Sequence, residues 1–121
     1  MNINRSELER ALFALGDHVR YVAFGVGQDI HTAQRGTPKG ASDESSDFYE
    51  ELLVNPTLLT IARQRGELDC GGLSHVIVGY GNFSQVVVPA AEGHVSVCIE
   101  REASAEQAAR DIVRLLSTNA T

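Results

Sequence analysis

Residues 73–101 read LSHVIVGYGNFSQVVVPAAEGHVSVCIER, and this stretch decides the fold. Within it, valine and isoleucine recur at the period-two spacing that is typical of β-strands. Gly81-Asn82 and Ala90–Gly93 interrupt the pattern with turn residues. The predicted strands are Leu73–Tyr80, Phe83–Pro89 and His94–Arg101. Three strands joined by such short turns must pair as an antiparallel meander.

Helical patterns lie on both sides of this stretch. After it, Ser104 is predicted to cap a helix with Gln107 as its capping-box partner. The core-facing residues of that helix are Ala108, Ile112, Leu115 and Leu116. Before the meander, Ser45 or Ser46 is predicted to cap a central helix that ends at Gly66. The apolar face of its first half is Phe48, Tyr49, Leu52 and Leu53.

Asn55-Pro56 is predicted to break or kink the central helix, because proline lacks an amide hydrogen and disfavours helix at the preceding residue. Asn55 is also a good N-cap and Pro56 a good first helical residue, so a second segment is predicted to restart at once. Glu50-Glu51, just before the break, is interpreted as solvated charge.

The N-terminal third predicts a helix, a hairpin and a loop. The helix covers Ser6–Leu15, with a capping box formed by Ser6 and Glu9 and with Gly16 as its C-cap. The predicted hairpin strands are His18–Phe24 and Asp29–Arg35, joined by the turn residues Gly25–Gln28. Gly36–Glu44 follows as the most loop-like part of the chain.

The resulting order is helix, two strands, helix, three strands, helix. Only one antiparallel sheet covered by helices buries every apolar face of this series, so the predicted fold class is α/β (α+β). A length of 121 residues suits a single domain that spans 1–121. The predicted core includes Val78, Val87, Val97 and Leu115.

Charge and composition restrict the function classes. The formal net charge of −6 disfavours phosphate backbones and anionic membranes, so neither nucleic acid nor membrane is an expected partner. The first residues lack the apolar core of a signal peptide, and the two cysteines, Cys70 and Cys98, are interpreted as reduced thiols. We therefore expect a cytoplasmic protein, with Cys98 as a small buried hydrophobe.

No pattern predicts a catalytic, cofactor or metal site. None of the four histidines, at positions 18, 31, 75 and 94, has the spacing of a metal-ligand pair, and the last two open predicted strands. Gly25-Val26-Gly27 resembles part of a dinucleotide fingerprint, but a tight turn explains it better. Cys70 with Asp69 and His75 is the one conceivable thiol site, and neighbours in sequence rarely converge as a triad.

Three runs carry a resemblance to a known family: His75–Asn82, Gln85–Pro89 and Gly93–Ile99, followed by the terminal amphipathic helix. With this element order, the chain resembles the roadblock (dynein light chain-like) family. The resemblance implies a profilin-like sandwich, in which a five-stranded antiparallel sheet has the central helix on one face and the terminal helices on the other. It also implies a non-enzymatic dimeric platform that regulates small GTPases, motors or polarity systems.

The predicted homodimer uses the edge of the third strand together with the central helix. Its predicted interface residues are Phe48, Tyr49, Leu52, Leu53, His75, Val76, Ile77 and Val78. A small GTPase or another NTPase is the further expected partner. Two alternatives stay open at this point: a small-molecule sensor of profilin-like fold, and a small enzyme that uses Cys70 or a histidine.

Overall fold

The computed structural model describes residues 4–36 and 40–119, and its elements follow the predicted order. The helices are α1 (Arg5–Phe13), α2 (Glu44–Tyr49), α3 (Asn55–Asp69) and α4 (Ala105–Asn119). The strands are β1 (Val19–Val26), β2 (Asp29–Gln34), β3 (Val76–Gly79), β4 (Phe83–Ala90) and β5 (Gly93–Glu100). A π-helical turn, Glu50–Val54, joins α2 to α3.

All five strands form one antiparallel sheet in the order β2-β1-β5-β4-β3. The predicted meander is confirmed, and β5 then pairs with β1 so that the N-terminal hairpin completes the sheet. Gly27, at the tip of this hairpin, has a φ of 59°, a left-handed value that glycine adopts without strain. β2 and β3 are the two edge strands.

Alternation along β5 gives the sheet two different faces. Val95, Val97 and Ile99 point to the face that α1 and α4 cover, where they join Leu12 and Ile112 in an apolar core. The intervening polar residues of β5 point to the opposite face, beneath the central helix. The predicted placement of terminal and central helices on opposite faces is therefore confirmed.

The predicted core is half right. Val87 and Val97 are fully buried. Val78 and Leu115 are only partly buried, because Val78 lies on an edge strand and Leu115 lies in the last turns of the terminal helix.

Two of the three predicted serine N-caps are wrong. Asn4 Oδ1 accepts the amide hydrogen of Glu7 at 2.8 Å, so Asn4 caps α1 and no Ser6 capping box forms. α1 also ends at Phe13, with Ala14 rather than Gly16 at its C-cap. Asp43 caps α2 in the same way through the Ser46 amide, at 2.8 Å.

The third cap is confirmed, since Ser104 Oγ accepts the Gln107 amide hydrogen at 3.1 Å. The predicted loop at 36–44 lies partly outside the described residues. From residue 40 to Asp43 it has no helix or strand, and α2 begins at Glu44.

A new helical segment, α3, begins at Asn55-Pro56 as predicted, but the chain does not leave the helical conformation there, because a π turn joins it to α2. Asn55 has helical dihedrals, and its amide hydrogen bonds to the carbonyl of Glu50, five residues earlier. This wider turn displaces the carbonyls that a proline ring would meet in a regular α-helix, so Pro56 fits at the start of α3. α3 continues past Gly66 and ends at Asp69. A Cβ at Gly66 would lie 3.0 Å from the Gly72 carbonyl carbon, so the two backbones are closely packed there.

Candidate functional site

The predicted interface residues of the central helix lie mostly at the surface. Phe48, Tyr49 and Leu53 are at least half exposed, whereas Leu52 is half-buried. Two further apolar residues of α3, Ile61 and Leu68, are exposed by 65% and 78%. We name Phe48, Tyr49, Leu53, Ile61 and Leu68 the outer helix surface. Ile61 and Leu68 lie outside the predicted apolar face, which covered only the first half of the central helix, and Leu68 also lies beyond the predicted helix end at Gly66.

The predicted interface residues of β3 do not share one surface. His75, Val76, Ile77 and Val78 are all half-buried. Register with β4 places Val76 and Val78 on the face beneath the central helix, while Ile77 packs against the apolar core under α4. Substituting Ile77 would therefore disturb the fold itself.

The backbone of β3 forms a free sheet edge. The Tyr80 amide hydrogen bonds to the Phe83 carbonyl at 2.9 Å, on the side of β4. Because amide directions alternate along an antiparallel strand, the amides of Ile77 and Gly79 point away from β4. The residues Val76–Gly79 contain no charge and no proline, which are the usual guards of an edge strand.

A cluster of polar side chains is buried between the central helix and the sheet, and Glu51 is its centre. Glu51 is fully buried. Its Oε2 accepts a hydrogen bond from Tyr21 Oη at 2.9 Å. Its Oε1 lies 3.0 Å from Asn55 Nδ2 and 2.8 Å from His94 Nε2. We name the Glu51 cluster by its members: Tyr21, Glu51, Asn55, Gln85, His94, Ser96 and Cys98.

The other members of the Glu51 cluster extend the hydrogen bonds along the sheet. Gln85 Nε2 lies 3.5 Å from Glu51 Oε2 and also contacts Ser96 Oγ. Asn55 Nδ2 lies 3.3 Å from the same Ser96 Oγ. Cys98 Sγ donates to Gln85 Oε1 at 2.9 Å. Each helix residue of the cluster therefore bonds to at least one strand residue.

Burial first, and then the Glu51 carboxylate, raises the pKa of the Tyr21 hydroxyl and of the Cys98 thiol. Both groups are therefore protonated at neutral pH. A thiol that keeps its proton is a poor nucleophile, so Cys98 acts as a buried hydrogen-bond donor.

The Glu51 cluster overturns two interpretations made from the sequence. Glu51 is buried rather than solvated, and its carboxylate bonds to His94 at the start of β5. Gly25 lies inside β1 rather than in a turn, directly opposite His94. A Cβ at Gly25 would lie 2.5 Å from His94 Cε1, so the missing side chain makes room for the imidazole ring.

One sequence signal could have found this cluster. His94, Ser96 and Cys98 alternate with three apolar residues of β5, and this pattern places the polar set on one face of a central strand.

Cys70, Asp69 and His75, the conceivable thiol site that the sequence disfavoured, do not assemble into one. Cys70 is exposed and donates to Asp69 Oδ1 at 3.3 Å, while His75 Nδ1 pairs with Ser74 Oγ at 3.0 Å. Among the described residues, no three His, Cys, Asp or Glu side chains are grouped as a metal ion would require. Over the same residues, no helix has the length and apolar character needed to cross a bilayer.

A cavity of about 620 Å³ opens beside the Glu51 cluster, between the α2–π turn region and the start of β4. Three carboxylates face it, those of Asp47, Glu50 and Glu51. Its aromatic lining consists of Tyr21, Tyr49, Tyr80 and Phe83. Glu50 Oε1 accepts a hydrogen bond from Tyr80 Oη at 2.7 Å, whereas its buried Oε2 has no donor among the described residues.

Comparison with known proteins identifies the fold. No protein-family model matches the chain. No curated protein sequence matches it either. Among solved structures, the chain is similar to a Roadblock/LC7 domain from Streptomyces avermitilis, with 18% sequence identity and a TM-score of 0.66. The superposition covers 98% of this chain and 94% of that one, so the predicted roadblock-like fold is confirmed.

Proposed function

We propose that this chain, which has the Roadblock/LC7 fold, is a non-enzymatic scaffold or regulatory module that works as a homodimer in the cytoplasm. Its partner class in this proposal is a small GTPase or a similar NTPase. The GTPase part comes from the resemblance of the sequence to the roadblock family. The dimer part has support from the surface of the molecule.

The observation that carries the proposal is the outer helix surface together with the free edge of β3. Five large apolar side chains along the central helix are at least half exposed, and exposed apolar surface of this kind is what a protein partner covers. An edge strand without charge or proline is open to pairing with another chain. A second copy of the chain that packs there would bury the apolar side chains and pair the free edge of β3.

A two-fold axis satisfies both features with the same residues. Antiparallel pairing of two β3 edges would extend one sheet across both subunits, and an interface of this kind closes on itself. The central helices lie on the same face of their sheets, so they would meet above the joined strands. The continuous sheet and paired helices would form the platform that a GTPase binds.

The test measures mass in solution by size-exclusion chromatography with light scattering. We expect the wild type at about twice its chain mass of 13.1 kDa. Leu53→Glu with Ile61→Glu introduces charge on the outer helix surface, and Gly79→Pro blocks the β3 edge, so each variant is expected at the monomer mass. Gly79 suits this change because its amide points away from β4 and the space around it is open.

Two control variants separate the interface from general disturbance. Val26→Glu places charge on an equally exposed apolar residue at the hairpin tip, far along the sheet from β3. Gly79→Ala keeps the amide that Gly79→Pro removes. Both controls are expected to stay dimeric, with circular dichroism confirming that all variants are folded. A monomeric wild type, or folded interface variants that keep the dimer mass, would show that this function is wrong.

A second candidate function is that of a small-molecule sensor, and the cavity beside the Glu51 cluster favours it. Its volume of about 620 Å³ lies within the range of small-ligand sites. It also combines aromatic walls with a few convergent polar groups, which is the usual composition of such sites. The titration described below tests this candidate.

A further inference from the structure

We propose that the cavity between the α2–π turn region and β4 binds a small organic amine in its ammonium form. The inference rests on the second candidate function, the small-molecule sensor, and adds the chemical class of the ligand. Three features of the cavity carry it: its charge, an unpaired acceptor and its aromatic walls.

The charge of the cavity is one-sided. Asp47, Glu50 and Glu51 line it, and none of the described lining residues is Lys, Arg or His. Burial, and then the neighbouring Glu51 charge, raises the pKa of the Asp47 and Glu50 carboxyl groups. Placing several carboxylates close together where water is partly excluded is electrostatically unfavourable. A bound cation would offset the repulsion between them.

The unpaired acceptor is Glu50 Oε2. Its sister oxygen is bonded to Tyr80, so the carboxylate is held in one orientation at the cavity wall. The buried Oε2 atom meets no donor from the described residues, and a buried acceptor without a donor is costly. An ammonium group supplies N–H donors that carry a positive charge, and hydrogen bonds from charged donors to a carboxylate are about twice as strong as neutral ones. A quaternary ammonium lacks this hydrogen, which favours a primary or secondary amine.

The aromatic walls suit the rest of such a ligand. Tyr80 and Phe83 meet edge to face, with ring centroids 5.6 Å apart. The guanidinium of Arg20, which does not line the cavity, lies 5.2 Å from the Phe83 ring centroid and pairs with Glu100 at 2.8 Å, so this ring already contacts one cation. Aromatic faces attract cations and also cover the aliphatic carbons attached to them.

A metal ion fits the same charge less well. Over the residues that the structure describes, no three acidic, histidine or cysteine side chains are grouped closely enough to hold one. Small divalent cations take oxygen ligands at about 2.0–2.6 Å, which requires such a group. A cavity of about 620 Å³ with aromatic walls instead leaves room for a body of several carbons.

The experiment compares three four-carbon probes on ¹⁵N-labelled full chain: butylammonium, its neutral analogue 1-butanol and the anion butyrate. Chemical shifts of the Asp47, Gly81 and Asn82 amides report on the cavity, and calorimetry gives Kd. We expect butylammonium to bind at least about tenfold more tightly than 1-butanol, because hydrogen bonds to charged groups are about twice as strong as neutral ones. Butyrate should leave the cavity amides unchanged.

Glu50→Gln keeps the shape of the side chain and removes its charge, so butylammonium binding should weaken by at least about tenfold. Glu92→Gln is the matched control, because Glu92 is exposed in the β4–β5 turn and carries the same charge. This control should bind like the wild type. Repeating the titration on Gly79→Pro shows whether dimer contacts at Tyr49 cover the mouth of the cavity.

Each result decides a different claim. Binding of 1-butanol as tight as that of butylammonium, or equal binding by wild type and Glu50→Gln, overturns the ammonium ligand. If 1-butanol or butyrate shifts the cavity amides and butylammonium does not, the ammonium ligand is wrong, and the sensor function stands with another class of ligand. If no probe shifts these amides in either wild type or Gly79→Pro, the sensor function fails as well.

Discussion

Replacing Glu51 with glutamine is expected to lower the free energy of unfolding by about 3–5 kcal/mol, because it weakens hydrogen bonds to a buried carboxylate and leaves a buried donor without an acceptor. The structure shows why an isosteric change costs so much. Tyr21, Asn55 and His94 all lie within 3.0 Å of the two carboxylate oxygens. A carboxamide keeps one oxygen and turns the other into a donor, so at least one neighbour loses its acceptor whichever way the amide is oriented.

The loss separates into two parts of similar size. A hydrogen bond to a charged group contributes about 1.5–3 kcal/mol, and a buried donor left without an acceptor costs about 1–3 kcal/mol. Because a domain of this size has a total stability of about 5–15 kcal/mol, the change should be large in a denaturation experiment.

Urea unfolding followed by circular dichroism measures the effect, with Glu50→Gln as a control one residue away. With a slope of about 1–3 kcal/mol per molar urea, Glu51→Gln should lower the midpoint by at least about 1 M. Glu50→Gln should cause little loss, because a carboxamide oxygen still accepts the Tyr80 hydrogen bond and the change removes a charge that burial disfavours. Equal losses for the two variants, or a loss below about 1 kcal/mol for Glu51→Gln, would refute this account of the Glu51 cluster.

Two further predictions concern the same cluster. Gly25→Ala should destabilise the protein by about 1–3 kcal/mol, because its methyl group meets the His94 ring, and the cost should largely disappear in a His94→Ala background. Urea unfolding of the four variants of this double-mutant cycle measures the coupling, and additive losses would contradict it. The pKa of Tyr21 is raised in the folded state. Its contribution to the free energy of unfolding is therefore fully present below about pH 10 and falls above it, because there only the unfolded chain loses the proton. Tyr21→Phe should therefore show a shallower loss of stability between about pH 10 and 11.5, and an unchanged slope would mean that other groups cause it.

Much of the fold could be predicted because local patterns specify it. The three strands of residues 73–101 follow from period-two apolar spacing, and the structure differs from that prediction only at their ends. Helix caps were harder, because several Ser, Asn and Asp residues lie near each helix start and only one geometry reaches the amide. Asn4 and Asp43 were missed for this reason.

The central helix shows where local rules fail. A proline after asparagine ends most helices, and the sequence contains no sign that a π turn precedes it. A π turn inserts about one extra residue, and one residue corresponds to about 100° of rotation around a helix. The face that Glu51 and Asn55 occupy therefore depends on this turn, so the sequence could not show which of the two neighbouring glutamates is buried.

The orientation of this helix connects the Glu51 cluster with both proposed functions. Apolar contacts have no direction, so an entirely apolar inner face would allow the helix to rotate or slide on the sheet. Hydrogen bonds are directional, and those from Glu51 and Asn55 to Tyr21, His94 and Ser96 tie the helix to two strands. A fixed inner face fixes the outer one: the same rotation that buries Glu51 exposes Leu53 and directs Glu50 toward the cavity. Loss of the Glu51 cluster should therefore disturb dimer formation, although none of its members lies on the outer helix surface, and it should also disturb amine binding, because Tyr21, Glu51 and Gln85 line the cavity themselves.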